Sequence, residues 1–203
     1  MSLGPNSFLV AAVVVAGIGG FFDVKTGKDP ETGEGKEGEI PNWLTLGSLA
    51  LAPLVHLVVG FKVGGMRVGL EAAGISVLGA LLCAIVPFLL FRVGAGGGGD
   101  LKLFAAIGAI CRPVVGIEAQ FYAFLAAALI APARLAWEGK LGKVLGNSMW
   151  LALNPLLPEK KRREIKPETL TWFRLGPAIF AGTLAAAFLH WQLPRALGNG
   201  VQP

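Results

Sequence analysis

Charged residues are scarce in this chain of 203 residues. Lysine, arginine, aspartate and glutamate make up 15% of it, whereas hydrophobic residues make up 54%. Soluble domains carry about a quarter charged residues, so this composition excludes an ordinary soluble protein and indicates a membrane protein. The length suits one compact domain over residues 1–203.

Cysteine is equally rare, with only Cys83 and Cys111 in the chain. Both lie in apolar stretches and they form no C-x-x-C pair, so neither a zinc site nor a redox motif is expected. We predict that both are buried as small apolar side chains, and we predict no metal and no cofactor. The first apolar stretch lacks a preceding basic region, which favours a retained span over a cleaved signal peptide.

Six apolar segments resemble membrane helices, which need about 20 mostly apolar residues to span a bilayer. The fourth is short, so either it is buried below the interface at one end or its boundary lies elsewhere. Arg112-Pro113 forms the natural break between the fourth and fifth. The sequence therefore predicts an all-α polytopic membrane protein with helices over approximately Asn6–Phe22, Trp43–Phe61, Val68–Phe91, Leu101–Cys111, Val115–Trp137 and Phe173–Leu193.

The basic residues predict the orientation, because loops rich in lysine and arginine stay in the cytoplasm. Most of the 18 fall in the loops after the first, third and fifth segments, and only Lys62, Arg67, Arg112 and Arg195 fall on the other side. We therefore expect both termini outside and those three loops in the cytoplasm.

Two of the cytoplasmic loops have a distinct composition. Residues 27–39 form an acidic, glycine-rich insert, which is either a solvated loop or an acidic lip that attracts a basic substrate. Residues 138–172 form a basic loop, whose run Lys160–Lys166 favours contact with anionic lipids over nucleic acid. Within that loop, Asn147–Leu157 is too short to span and is expected to lie on the membrane surface.

Two acids fall at the same predicted membrane face, Asp23 at the end of the first segment and Asp100 at the start of the fourth. An acid at the edge of a membrane helix is a functional candidate. Two neighbouring carboxylates do not both ionise easily, so one keeps a proton while the other acts as a base. Such a pair can activate water against a peptide carbonyl and protonate the leaving amine.

Glycines 96 to 99 precede Asp100, and glycine lets a second backbone approach closely. These residues alone are equally consistent with a hinge followed by a helix cap. Pro41 and Asn42 in "IPNWLTL" also have a structural explanation, because proline and asparagine are favoured where helices begin.

The run "GGGDLKLFAAIGA", residues 97–109, resembles the motif G-x-G-D-x-K-L-x-A-A-x-G-A of the type IV prepilin peptidases, a family of polytopic aspartic proteases. Two further blocks agree: Asp23 and Lys25 followed by "IPNWLT" from Ile40, and Gly176-Pro177 followed by Gly182 at the last segment. The resemblance extends over roughly residues 8–189.

The resemblance implies two catalytic aspartates, Asp23 and Asp100, supported by motif residues at the substrate site, namely Gly97, Gly99, Lys102, Pro41 and Asn42. It implies a protein of the bacterial inner membrane that cleaves the basic leader from prepilins or pseudopilins, alongside pilus or type II secretion assembly machinery. The chain lacks the paired C-x-x-C region of the larger members, so methyltransferase activity is not implied.

The spacing after Asp23 departs from the family pattern, because sixteen residues separate it from Ile40 instead of about half a dozen. An acidic insertion accounts for this, with Asp29 as the competing first acid; Asp23 is preferred because it directly follows the apolar segment. Two other functions stay open. A proton-coupled transporter would need ionisable groups deep in the helices, where only His56 and Glu71 are candidates, and a silent pilus-assembly protein would not need both acids.

Overall fold

The computed structural model describes residues 5–25, 27–28, 35–36, 39–92, 96–137, 139, 142, 146 and 174–198. This part of the chain is helical apart from one short antiparallel pairing in the insert, which the composition did not predict. The prediction of a helical protein is confirmed. The elements are α1 (Pro5–Val24), β1 (Gly27–Lys28), β2 (Gly35–Lys36), α2 (Asn42–Arg92), α3 (Gly98–Trp137) and α4 (Gly176–Gly198).

The helices have the length and surface of membrane helices. Three stretches, in α1, α2 and α3, are long and apolar enough to cross a bilayer, and Gly176–Trp191 of α4 is a shorter apolar helix. Many large apolar side chains face outward, including Phe61, Leu81 and Phe121, and a surface of this kind favours lipid over water. The chain is thus a membrane protein, while six crossings and external termini stay predictions.

Helix α2 folds back on itself at Gly64 and Gly65, whose backbone angles are not helical. Gly65 has a φ of 77°, which glycine adopts without the penalty of a Cβ atom. A Cβ on Gly60 would lie 2.8 Å from the Cα of Gly69, although nine residues of straight helix would separate them by about 13 Å. Residues 42–63 and 66–92 are therefore two packed arms, which match the second and third predicted segments.

Helix α3 turns at Arg112, where φ is 67°. A Cβ on Gly116 would lie 2.8 Å from the Cα of Gly108, so residues 98–111 and 113–126 also form two packed arms. The predicted break at Arg112-Pro113 is confirmed. Every residue from 103 to 111 is buried within the protein, which identifies the first arm as an interior helix.

The turn in α3 leaves backbone carbonyls without helical partners, and α2 supplies replacements. Pro113 has no N–H for the Ala109 carbonyl four residues earlier, and the Ser76 hydroxyl donates to that oxygen at 2.7 Å. His56 Nε2 lies 3.0 Å from the next carbonyl, that of Ile110. Unpaired backbone groups are costly in a membrane, so these side chains stabilise the turn.

Pro87 creates a similar vacancy in α2, because it cannot donate to the carbonyl of Cys83. Gln120 Nε2, from the second arm of α3, donates to that oxygen at 2.9 Å. Gln120 is itself buried. A polar side chain in an apolar helix thus satisfies a carbonyl that a proline in another helix has freed.

The chain divides into two compact units, residues 1–126 with 174–203, and residues 127–173. The first holds α1, α2, α4 and most of α3. The described residues of the second are the end of α3 with residues 139, 142 and 146. The predicted basic run Lys160–Lys166 and the surface stretch Asn147–Leu157 lie outside the described residues.

Candidate functional site

The last turn of α1 and the first turn of α3 lie side by side and carry the two predicted catalytic acids. A Cβ on Gly19, one turn before Asp23, would lie 2.9 Å from the side chain of Leu103, which is one turn after Asp100. The carboxylates of Asp23 and Asp100 are close enough to interact electrostatically. The structure therefore brings these two acids to the same end of the helices.

The carboxylate of Asp23 is held at the start of α4. Its Oδ2 accepts a hydrogen bond from the backbone N–H of Gly176 at 3.0 Å. This N–H belongs to the first turn of α4, where amide groups have no helical acceptor and the helix dipole favours a negative charge. The start of α4 thus fixes Asp23 in place.

Asp100 has a different environment, because only one of its carboxylate oxygens has a hydrogen bond. Oδ2 accepts from the backbone N–H of Gly97 at 3.3 Å. Oδ1 is buried, and among the described residues it has no hydrogen-bond partner. Buried polar atoms rarely stay unpaired, so Oδ1 is the carboxylate oxygen of Asp100 that is left to accept a proton or a further hydrogen bond.

The motif residues Asn42 and Lys102 meet beside Asp100. Lys102 Nζ donates to Asn42 Oδ1 at 2.8 Å, which links the start of α2 to the first turn of α3. Pro41 stands immediately before α2 and its carbonyl accepts from the backbone N–H of Thr45 at 3.3 Å. Asn42 is therefore the first helical residue and binds Lys102 rather than capping α2.

The glycines before Asp100 have distinct positions. Gly97 is exposed and supplies the N–H that holds Asp100. Gly99 packs against Ile40, whose side chain would lie 3.4 Å from a Cβ at that position. All seven predicted site residues thus lie where α1, α2 and α3 meet, whereas the competing acid Asp29 lies outside the described residues.

The other ionisable or reactive residues singled out in the sequence lie elsewhere. Cys83 and Cys111 are buried free cysteines, as predicted. His56 is buried, stacks on Phe8 with ring centroids 4.2 Å apart, and hydrogen bonds at the α3 turn. Glu71 is exposed and pairs with Arg67 at 3.1 Å. None of the four belongs to the site of the two aspartates.

Two polar features escaped the sequence reasoning. Glu118 and His190 approach within 2.6 Å and join α3 to α4. In the sequence this contact could have been suspected from the presence of two ionisable residues in separate apolar segments. Arg174 donates to the backbone carbonyls of Asp23 and Val24, and its place just before Gly176-Pro177 gave no sequence signal for that contact.

The chemistry of the site is that of carboxylates and amides. Among residues that the structure describes, no three His, Cys, Asp or Glu side chains gather as metal ligands do. Two interacting carboxylates, one of which has an oxygen without a hydrogen-bond partner among the described residues, can share a proton and bind a water. That arrangement can carry out general acid–base hydrolysis.

Comparison with known proteins identifies one family. The model of the type IV leader peptidase family matches residues 36–132, and this confirms the resemblance drawn from the motifs. The matched region contains Asp100 and every motif residue of the site, whereas Asp23 precedes it. No curated protein and no solved structure matches the chain significantly.

Proposed function

Since residues 36–132 match the type IV leader peptidase family, and this match indicates a protease, we propose that the chain is an aspartic endopeptidase of the membrane edge. Its substrates are prepilins or pseudopilins, whose basic leaders it removes at the cytoplasmic face of the bacterial inner membrane. The single observation that carries the proposal is the close packing of α1 on the first arm of α3 at Gly19 and Leu103. This packing puts Asp23 and Asp100 at the same end of the two helices.

In the proposed reaction the two aspartates share one proton and bind the attacking water. The ionised carboxylate takes a proton from the water while the water oxygen attacks the carbonyl carbon of the scissile peptide bond. The protonated carboxylate donates its proton to the leaving nitrogen as the carbon–nitrogen bond breaks. The products are a leader with a new carboxylate and a mature protein with a new amino group, and the pair regains one proton in total.

The surroundings of the acids suit an extended peptide substrate. The exposed backbone at Gly97 has no side chain in the way, so a second peptide strand can approach Asp100 closely. The hydrogen bond between Lys102 and Asn42 holds the start of α2 against α3. It thereby fixes the position of the neighbouring Pro41 relative to Asp100. In this account the two bonded residues support the site and do not take part in proton transfer.

Cleavage of a prepilin tests the proposed function directly. The chain is co-expressed with a candidate prepilin in cells without another such peptidase, and the pilin is followed by its size and its new N-terminal sequence. Removal of the basic leader is the expected result. If every candidate prepilin stays full-length, the result contradicts the proposed function.

A proton-coupled transporter is the second candidate, and the Glu118–His190 contact favours it. An ionisable pair within apolar helices is a common feature of proton pathways. The two functions make different demands, because a transporter needs Glu118 and His190 but cuts no peptide. Leader cleavage that survives Glu118→Gln and His190→Gln would assign the pair a role outside the proposed reaction.

A further inference from the structure

The end of α1 is held by a residue from outside the matched family region. The last carbonyls of a helix lack intrahelical partners, and in α1 two of them belong to Asp23 and Val24. Arg174 Nη1 donates to both oxygens, each at 2.8 Å. One guanidinium group thus fixes the backbone on either side of the peptide bond that follows Asp23.

The segment that begins with Arg174 also fixes the Asp23 side chain. Two residues later, the Gly176 N–H donates to Asp23 Oδ2. The fit is tight, because a Cβ on Gly176 would lie 2.7 Å from both Cβ and Oδ2 of Asp23. Pro177 follows and has no N–H of its own, so the Gly176 amide is the donor that this turn directs at Asp23.

We propose that Arg174 is a positioning residue for Asp23: it clamps the end of α1 so that the Asp23 carboxylate faces Asp100. Arg174 acts on the backbone and Gly176 on the carboxylate, so the two contacts together leave the acid little freedom. The kinetic consequence rests on the proposed function, whereas the geometric one does not.

A simpler role for Arg174 is to hold a cytoplasmic loop through its positive charge alone. The two roles separate in two variants. Arg174→Lys keeps the charge but replaces the planar donor group by a point charge on a shorter side chain, and Arg174→Ala removes both. Arg92→Ala is the matched control, because it removes a charge from the same predicted face at an exposed position.

The kinetic experiment measures kcat and KM for leader cleavage by each variant. Because Arg174 acts on the backbone that carries Asp23, we expect Arg174→Ala to lower kcat about 10- to 100-fold with KM nearly unchanged, as when a reacting group is misplaced. Arg174→Lys should lower kcat less than Arg174→Ala does, and Arg92→Ala should keep the wild-type kcat. Wild-type kcat in Arg174→Ala or in Arg174→Lys contradicts the positioning role.

A second experiment reads the geometry without using activity. Asp23→Cys and Asp100→Cys are combined, and their cross-linking by a short bifunctional thiol reagent is followed in the membrane. We expect Arg174→Ala to lower the yield several-fold and Arg92→Ala to leave it unchanged. An unchanged yield in Arg174→Ala overturns the proposal, whatever the kinetics.

The two experiments distinguish a failure of the positioning role from a failure of the proposed function. If the wild-type chain cleaves no prepilin but cross-linking still depends on Arg174, the protease assignment is wrong and the clamp on α1 stands. The background cross-linking is measured on the single variant Asp23→Cys. It should be low, because the two native cysteines, Cys83 and Cys111, are buried.

Discussion

Lys102 donates a hydrogen bond to the side-chain oxygen of Asn42 at 2.8 Å, although sixty positions separate the two residues in the chain. This contact joins two motifs that the sequence shows only as separate blocks. It also fixes the start of α2 beside the first turn of α3, which carries Asp100. The contact is thus one of those that assemble the site, and it links the starts of two helices.

Removing either side of this link should lower the cleavage rate by a similar amount. A hydrogen bond to a charged group contributes about 1.5–3 kcal/mol, and at this exposed position we expect the lower end, about a 10-fold loss in kcat/KM, for Lys102→Met and for Asn42→Ala. The double variant should be little worse than either single one, because both remove the same contact. Fully additive losses would show that the residues act independently, and Lys62→Met is the control.

Gln120→Leu should destabilise the protein by leaving the Cys83 carbonyl unpaired. An unsatisfied buried acceptor costs about 1–3 kcal/mol, measured here as unfolding in detergent micelles. Pro87→Ala restores an N–H four residues after Cys83, so the cost of Gln120→Leu should be smaller in that background. An equal cost in both backgrounds would mean that Gln120 does not replace the bond that Pro87 prevents.

Gly182→Ala should destabilise the contact between α4 and α3. The added Cβ would lie 2.6 Å from the Cα of Ala123, and backbone cannot move aside as a flexible side chain does, so we expect a loss of about 1–3 kcal/mol. Gly74→Ala is the matched control, because nothing lies within 4 Å of its added Cβ and alanine favours a helix by up to about 1 kcal/mol. Similar unfolding midpoints for the two variants would contradict this packing.

The orientation predicted from the basic residues is testable with two exposed positions. Met66→Cys lies beside the turn of α2, and Lys25→Cys follows α1. In intact spheroplasts a membrane-impermeant thiol reagent should label Met66→Cys, whereas Lys25→Cys should be labelled only after permeabilisation. The reverse pattern would place the two aspartates on the outer face and exclude a cytoplasmic cleavage.

The sequence predicted the helices well because apolar length and helix breakers are local signals. Arg112-Pro113 marks the turn in α3, and the gap between the second and third predicted segments contains the glycines 64 and 65 at which α2 turns. The common face of Asp23 and Asp100 followed from counting segments and basic loops. Motif residues therefore met as expected, without any sequence signal for their distances.

The rest depended on three-dimensional partners that no local pattern encodes. Gln120 and Ser76 are ordinary polar residues until the carbonyls freed by Pro87 and Pro113 come within reach. In the sequence Arg174 is one of the basic residues that predict the orientation, and only the packing of α4 against α1 shows that it binds the backbone at Asp23. The short β1–β2 pairing was likewise not predicted, because glycine and lysine do not favour a strand and do not specify which residues pair.

The proposed reaction depends most directly on the two carboxylates, and one measurement tests them. Leader cleavage of a co-expressed prepilin is compared for wild type, Asp23→Asn, Asp29→Asn and Asp100→Asn, with each variant quantified in the membrane. Asparagine keeps the shape of aspartate but cannot exchange a proton, so we predict complete loss in Asp23→Asn and Asp100→Asn and wild-type cleavage in Asp29→Asn. Cleavage that persists in Asp100→Asn, or that is lost in Asp29→Asn and kept in Asp23→Asn, would contradict this catalytic pair.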